Sequence, residues 1–211
     1  ISFLQDQQAY FTENTYSVSQ VLSNTKRTLE FVIEERRAAL ALMIREQSYE
    51  SLASNEALAI ALQNLNNSFG GFVDLGLIDA SGLQAYYTGP YDLQNRSYQD
   101  QSWFHEVVLR GTHVSDVFMG HRDFPHFVIA IKHERQPGDF YIIRATIDMD
   151  LINRQMELVN RDRQLDVFII NQKGILQTES VFFGNVLTEA DLEVPQGPRT
   201  REIVERTEDD L

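Results

Sequence analysis

The chain has no cysteine. A disulfide frame, a thiolate zinc site and a cysteine nucleophile are therefore excluded. It has no apolar run approaching the roughly 20 residues that a membrane-spanning helix requires. Basic residues are scarce: 18 Lys and Arg stand against 31 Asp and Glu, a formal charge of −13. Such a surface offers nothing to nucleic-acid phosphates and is repelled by anionic lipid heads. Phosphate-cradling glycine loops, dinucleotide fingerprints and a G-x-S-x-G elbow are all missing. Ser115 and Asp116 lie beside His113, but neighbours along a strand point to opposite faces, so no catalytic residue is expected. There is neither an initiator Met nor a signal peptide. The abrupt start at Ile1 and end at Leu211 lead us to expect a soluble piece of a longer protein.

What is present is enough to build a core. Hydrophobic residues make up 43% of the 211 positions, which excludes wholesale disorder. From Ser2 to Ser48 there is neither Pro nor Gly. Apolar residues at Val18, Leu22, Leu29, Val32, Ala39 and Met43 recur mostly at helical steps, widened by Val21, Ile33, Leu40 and Ile44. Lys26, Glu30, Glu34 and Arg37 fall on the other face. A helix of that extent is about 70 Å long, longer than a small domain is wide, so part of it is expected to form a stalk that pairs with a second copy.

A second helix is expected over Asn55–Leu65, capped at Asn55 or Ser54. Phe72–Ile78 alternates as a strand, Asp79-Ala-Ser-Gly82 turns, and Leu83–Thr88 returns. Three further strands are expected at Val114–Phe118, Phe127–Lys132 and Phe140–Ile147, followed by a helix over Asp150–Arg163. The hairpin around Asp79 and Gly82 has an echo around Asn171 and Gly174, each ending in a glutamine, Gln84 and Gln177. Two such hairpins a domain's length apart suggest a duplicated α+β unit. The second copy adds a small helix near Thr188–Leu192 and a strand near Arg201–Glu205, and the last two strands of the first copy have no counterpart before Leu211.

The stretch from Tyr98 to Lys132 carries the candidate site. A short helix bears the only Trp, Gly111 stops it, and aromatics, arginines and histidines crowd the loops beyond. Apolar walls with a few converging polar groups are how a ligand pocket is furnished. Trp103, whose indole N–H needs a partner, and Tyr98 are read as lining it, while Phe104 is read as core. Arg122 and His126 are either an anion grip or a loop pinned by an Arg–Asp pair. Asp148 either holds a ligand's ammonium or caps the next helix, and Lys132 is read as solvated. The five histidines (105, 113, 121, 126 and 133) lack metal-site spacing. Convergence of His121, Asp123 and His126 on a metal is the alternative, and neither metal nor cofactor is expected.

These segments, "LIDASG…YYTGPYDLQNRSYQDQSWFHEV", "VSDVFMGHRDFPHFVIAIK" and "VFIINQKGIL", resemble in their order the double Cache sensor domain. This is the PAS-like extracytoplasmic input module of bacterial transmembrane receptors. With Gly120, Arg122 and Pro125-His126 the chain looks most like the histidine-kinase branch. The resemblance implies an α+β fold, a long N-terminal helix followed by two PAS-like antiparallel-sheet units. It implies a stalk and dimerisation helix over 1–50 and a membrane-distal ligand unit over 51–148. A connecting helix over 149–164 and a membrane-proximal unit over 165–211, expected to be incomplete, would follow. It further implies a domain outside the inner membrane with membrane anchors beyond this chain, a homodimer, and no enzyme activity in this piece. A kinase would act through an absent cytoplasmic domain. The amino-acid-binding branch carries an Arg two places before the Trp, an aromatic after it and an Asp closing the last strand. Trp103, Phe104 and Asp148 match that pattern. Gln101 replaces the Arg, Phe118 a later Tyr and Gly120 a further Asp, so Arg122 is the expected cation. The expected ligand is an organic acid or an amino-acid-like molecule at Tyr98, Trp103, Phe118, Arg122, His126 and Asp148. A docking module for a periplasmic partner protein, or the sensor of a chemoreceptor or diguanylate cyclase, is the alternative.

Overall fold

The computed structural model describes the backbone of residues 2–121, 123–163, 166–192 and 194, and the side chains of 17–121, 123–161, 166–192 and 194. The chain divides into two compact units, Val32–Arg154 and Ile1–Phe31 with Gln155–Leu211.

Helix α1 (Ser2–Glu46) runs without interruption, as the absence of Pro and Gly allows. In Val32–Arg154 its last turns bury Leu40, Met43 and Ile44. They also bury Arg36, which is only 4% exposed and which periodicity alone does not single out. Helices α2 (Tyr49–Leu52) and α3 (Asn55–Ser68) follow. Arg36 donates to the carbonyls of Phe69 (2.6 Å) and Gly70 (3.1 Å), satisfying acceptors that the end of α3 leaves open. The cap of α3 is Ser54, whose hydroxyl accepts from the Ala57 N–H at 3.0 Å. Asn55 instead reaches sideways: its amide oxygen accepts from the Tyr87 N–H at 3.0 Å and its amide nitrogen donates to Gln94.

Five strands follow: β1 (Phe72–Asp79), β2 (Gln84–Thr88), β3 (Thr112–Val114), β4 (Phe127–Gln136) and β5 (Asp139–Ile147). Helix α4 (Ser102–Arg110) lies between β2 and β3, and α5 (Asp150–Arg163) follows β5. They form one antiparallel sheet in the order β2-β1-β5-β4-β3. Alternation sends Tyr141, Ile143, Ala145 and Ile147 of β5 to one face and Ile142, Arg144 and Thr146 to the other. The first face meets the helical side, with Tyr49 of α2 edge-on to Tyr141 at 5.1 Å.

The structure moves several elements from their expected places. The strand expected at Val114–Phe118 is shorter and earlier, because the Ser115 hydroxyl intercepts the Val128 N–H at 3.0 Å and the ladder stops. Phe118 rejoins only through a bridge to His126. Strands β4 and β5 instead extend to a tight turn at Pro137-Gly138. No helix forms at Thr188–Leu192: Glu189 bridges Ile175, and the Ala190 N–H bonds the Gly174 carbonyl. The strand expected at Arg201–Glu205 lies outside the described residues.

The second hairpin, described by itself, repeats the first bond for bond. In the first, Asp79 N–H bonds Leu83 O, Gln84 N–H bonds Arg96 O, Asn95 N–H bonds Gln84 O and Tyr98 N–H bonds Gly82 O. Ninety-two residues on, Asn171 N–H bonds Ile175 O, Leu176 N–H bonds Thr188 O, Leu187 N–H bonds Leu176 O and Ala190 N–H bonds Gly174 O. The positive φ values also recur, at Gly82 (88°) and Gly174 (75°) and at Asn95 (62°) and Leu187 (70°). In each turn the Asx side chain accepts two backbone N–H groups, which fixes the turn locally. The sequence echo is thus a structural repeat, with one correction: Gln84 corresponds to Leu176, not to Gln177.

Candidate ligand-binding site

Strands β2 and β3 are the two edges of the sheet, so the chain between them must cross the whole face. Helix α4 lies in that crossing. It starts at Gln101, whose side chain makes no capping bond, and stops at Gly111 in the left-handed conformation (φ 79°). Its Trp103, Phe104 and Val107 pack with Tyr98 onto Ile78, Val128, Ala130 and Ile142 of the sheet. Tyr98 and Trp103 stand 5.2 Å apart, centroid to centroid.

Into this otherwise apolar face the sheet sets a polar patch. Arg144 on β5 is 1% exposed, and its Nη2 donates to the fully buried Asp74 on β1 at 2.9 Å. The guanidinium also lies 5.1 Å from the Tyr98 ring, with Nη1 3.4 Å from the Tyr98 hydroxyl. Tyr87 on β2 donates its hydroxyl to Asp74 at 3.2 Å. A charge pair is tolerated in such a place only when its other hydrogen-bonding positions are satisfied. Here they are not: Arg144 Nε, the Thr146 hydroxyl and Gln84 Oε1 are buried and have no partner among the described residues. Arg144 faces Gly76 in β1 and Ala130 in β4, so no large side chain stands on either strand beside it.

Of the expected site residues, Tyr98 and Trp103 come together over this patch, both 3% exposed. Phe118 and His126 form a second group, with ring centroids 4.6 Å apart. His126 is fully buried, its Nδ1 2.9 Å from the Phe124 carbonyl, and Phe118 packs against the α4 cluster. The neighbouring His121 ring stands 6.2 Å from Tyr98. Asp148 lies past the end of β5, and its carboxylate accepts from the Asp150 N–H at 2.9 Å, where it caps α5. Lys132 pairs with Glu134 at 3.0 Å. Arg122 lies outside the described residues. Among the described residues no group of three or more His, Asp or Glu is placed to hold a metal ion.

No protein-family model matches the chain, and no curated protein does. Solved structures do. An extracellular ligand binding receptor from Desulfohalobium retbaense DSM5692 aligns with a TM-score of 0.69 at 15% identity, over 81% of this chain and 32% of that one. The ligand-binding domain of the Campylobacter jejuni chemoreceptor Tlp3 aligns at 0.58 and 12% identity, over 74% of this chain and 66% of that one. The extracellular domain rpHK1S-Z16, ascribed to a histidine kinase, aligns at 0.50 and 15% identity over 79% and 67%. The chain shares its α+β fold with these extracellular domains. It spans less than two thirds of the length of the first two of these structures.

Within this fold, Asp74 and Arg144 are what sequence reasoning missed. Each is a lone charge inside an apolar strand, Phe72-Val-Asp-Leu and Ile142-Ile-Arg-Ala, and that was the available signal. A charged residue rarely goes into a sheet core unless it is paired. Recognising the pair required knowing that β1 lies against β5, 70 residues away.

Proposed function

We propose that the chain is the extracytoplasmic ligand-sensing part of a bacterial membrane receptor. It binds a small polar molecule, an organic acid or an amino-acid-like one, on the sheet face beneath α4. The observation that carries this reading is the Asp74–Arg144 patch, a buried polar cluster with unused hydrogen-bonding atoms under an aromatic cover. In support, the Tlp3 domain of similar fold was solved with 4-methylisoleucine and with L-valine. The receptor is a sensor histidine kinase in this reading, with its output domain and membrane anchors outside these 211 residues. The sensing domain itself is not an enzyme and resides on the outer side of the inner membrane. Helix α1 pairs with that of a second copy. A ligand that binds two arrangements of the domain unequally shifts their populations, and α1 carries that shift toward the membrane.

A thermal-shift screen of the purified chain against organic acids, amino acids, amines and divalent metals tests this. A molecule that binds only the folded state raises the melting temperature by mass action. A hit that disappears in Arg144→Ala or Trp103→Ala supports the site. A response to metals alone moves the reading to His121, Asp123 and His126. A second reading, a docking module for a periplasmic partner protein, is favoured by one observation: Trp103 is itself packed into the core cluster. Silence across the panel from a well-folded protein selects it.

A further inference from the structure

Two helices carry the chain out of the unit Val32–Arg154: α1, which continues back to Ser2, and α5, which continues on to Arg163. Inside the unit both are fastened to one short connection, Phe69-Gly70-Gly71, which joins α3 to β1. Arg36 of α1 takes its first two carbonyls, Phe69 O through Nη2 and Gly70 O through Nε. The third, Gly71 O, accepts from the Asp148 N–H at 2.9 Å, at the corner between β5 and α5. Leu151 of α5 closes over the same residue: a Cβ on Gly71 would lie 3.4 Å from its Cδ2 and 3.5 Å from Arg36 Nε. On the strand side Asn66 of α3 clamps Phe72, donating to its carbonyl at 2.8 Å and accepting from its N–H at 3.0 Å. Each carbonyl from Phe69 to Phe72 is therefore held, two of them by α1.

Left to itself, such a connection is a hinge. Gly70 and Gly71 have positive φ, 66° and 81°, one of many conformations open to glycine. Two glycines in a row can take up a displacement of β1 by rotating, and little of it would reach a helix beyond them. The Arg36 guanidinium removes that freedom. Its rigid fork spans two successive carbonyls, and Nη1 is braced on α1 itself, at 2.8 Å from Val32 O and 3.3 Å from Glu35. The carbonyls it meets are the negative end of the α3 dipole, which favours a cation there.

The apolar face of α1 does not do the same. Burial of Leu40, Met43 and Ile44 holds the helix against its unit, but apolar burial is non-directional. A slide of about 1–2 Å, the size of helix shifts in switching proteins, keeps most of that burial. It takes the bonds to Phe69 and Gly70 out of hydrogen-bond geometry. We propose that Arg36 is a positioning residue for signal transmission: it locks the Gly70-Gly71 connection to α1, so that α1 follows β1, the strand bearing Asp74, as one body. This deepens the sensor reading and rests on it.

Spin-label distances in the whole chain test it, and the absence of native cysteine lets two introduced ones carry the labels. Ala38→Cys on α1 with Ala80→Cys, in the turn after β1, reports α1 against β1. Leu109→Cys on α4 with Ala80→Cys reports the rest of the unit. All three positions are exposed, and dilution with unlabelled chain keeps the measured distances within one molecule. The expected result is a single narrow distance between positions 38 and 80 in the parent and a distribution at least twice as wide in Arg36→Met, with the distance between 80 and 109 unchanged. Arg36→Lys, whose ammonium still donates to carbonyls, restores at least half of the narrowing. Arg37→Met, which removes the neighbouring guanidinium from its exposed pair with Glu34, changes neither distance. If Arg36→Met does not fold, Arg36→Gln carries the same expectation. A distance between 38 and 80 that stays as narrow as the parent's overturns the inference. Equal broadening of both distances overturns it too, since Arg36 would then be a general prop of the unit. These measurements involve no small molecule: an unchanged width removes the joint and leaves the sensor reading to the thermal-shift screen, while silence in that screen removes the sensor reading and leaves the joint.

Discussion

Replacing Arg144 by Met is the most informative perturbation of this molecule. The substitution keeps much of the side-chain volume and removes the cation that lies 2.9 Å from Asp74. The Asp74 carboxylate, fully buried on β1, keeps the Tyr87 hydroxyl but loses the Arg144 guanidinium. Breaking a buried pair by deleting one member costs about 3–5 kcal/mol, a large part of the ~5–15 kcal/mol that holds a domain folded. The double variant Asp74→Asn/Arg144→Met removes both charges and is expected to recover at least about 2 kcal/mol of that loss. Urea unfolding followed by tryptophan fluorescence reads the right unit, because the chain has a single Trp and Trp103 packs against Tyr98, whose ring lies 5.1 Å from the Arg144 guanidinium. Raising the salt concentration should change the coupling little, since buried pairs are weakly screened. The reasoning is refuted if Arg144→Met costs under about 1 kcal/mol, or if the double variant loses the sum of the two single losses.

Gly82→Ala is expected to cost more than Gly111→Ala. Both glycines have positive φ, a penalty of about 1–2 kcal/mol for other residues, but a Cβ at Gly82 also meets the Gln99 backbone nitrogen at 2.8 Å, while none of the neighbouring atoms comes within 4 Å at Gly111. Equal denaturation midpoints would refute this. Tyr141→Phe removes a buried hydroxyl without a described partner and should be neutral or stabilising by up to about 1 kcal/mol at pH 8. Burial pushes the Tyr141 phenol above its ordinary 10.0. The unfolded chain therefore loses that proton first, stability falls as pH rises past 10, and the Phe variant should lose less of it over that range. Burial lowers the pKa of His113 on β3 from 6.5, against a smaller opposing effect of Glu106. The unfolded chain then takes up the proton first as pH falls below 6.5, so stability drops in that window, and His113→Gln should flatten that part of a melting-temperature profile. An unchanged slope would show that other groups set it.

The features legible in the sequence are those fixed by neighbours along the chain. The uninterrupted α1, the Asx–glycine turns at Asp79–Gly82 and Asn171–Gly174, the serine cap of α3 and the glycine stop of α4 each depend on hydrogen bonds or periodicity within a few residues. The α+β class and the order of the five strands followed from them, and their pattern carried the resemblance to Cache-type sensors. Strand edges were less legible: β3 ended early because one serine hydroxyl took the place of a ladder partner. The Asp148 side chain shows the same limit on function, since a carboxylate after a strand reads equally as a ligand group and as a cap until its hydrogen bond to Asp150 is seen.

Tertiary structure alone decided which charges are buried and what they face. Arg36 could be told from its neighbour Arg37 only once the end of α3, more than 30 residues away, was laid against it. Asp74 and Arg144 became a pair only when β1 and β5 came into register. A lone charge in an apolar strand has no stable meaning by itself. Its burial is unfavourable in every arrangement but the one in which a distant strand supplies its partner, so the sequence could mark the charge while only the folded sheet could explain it.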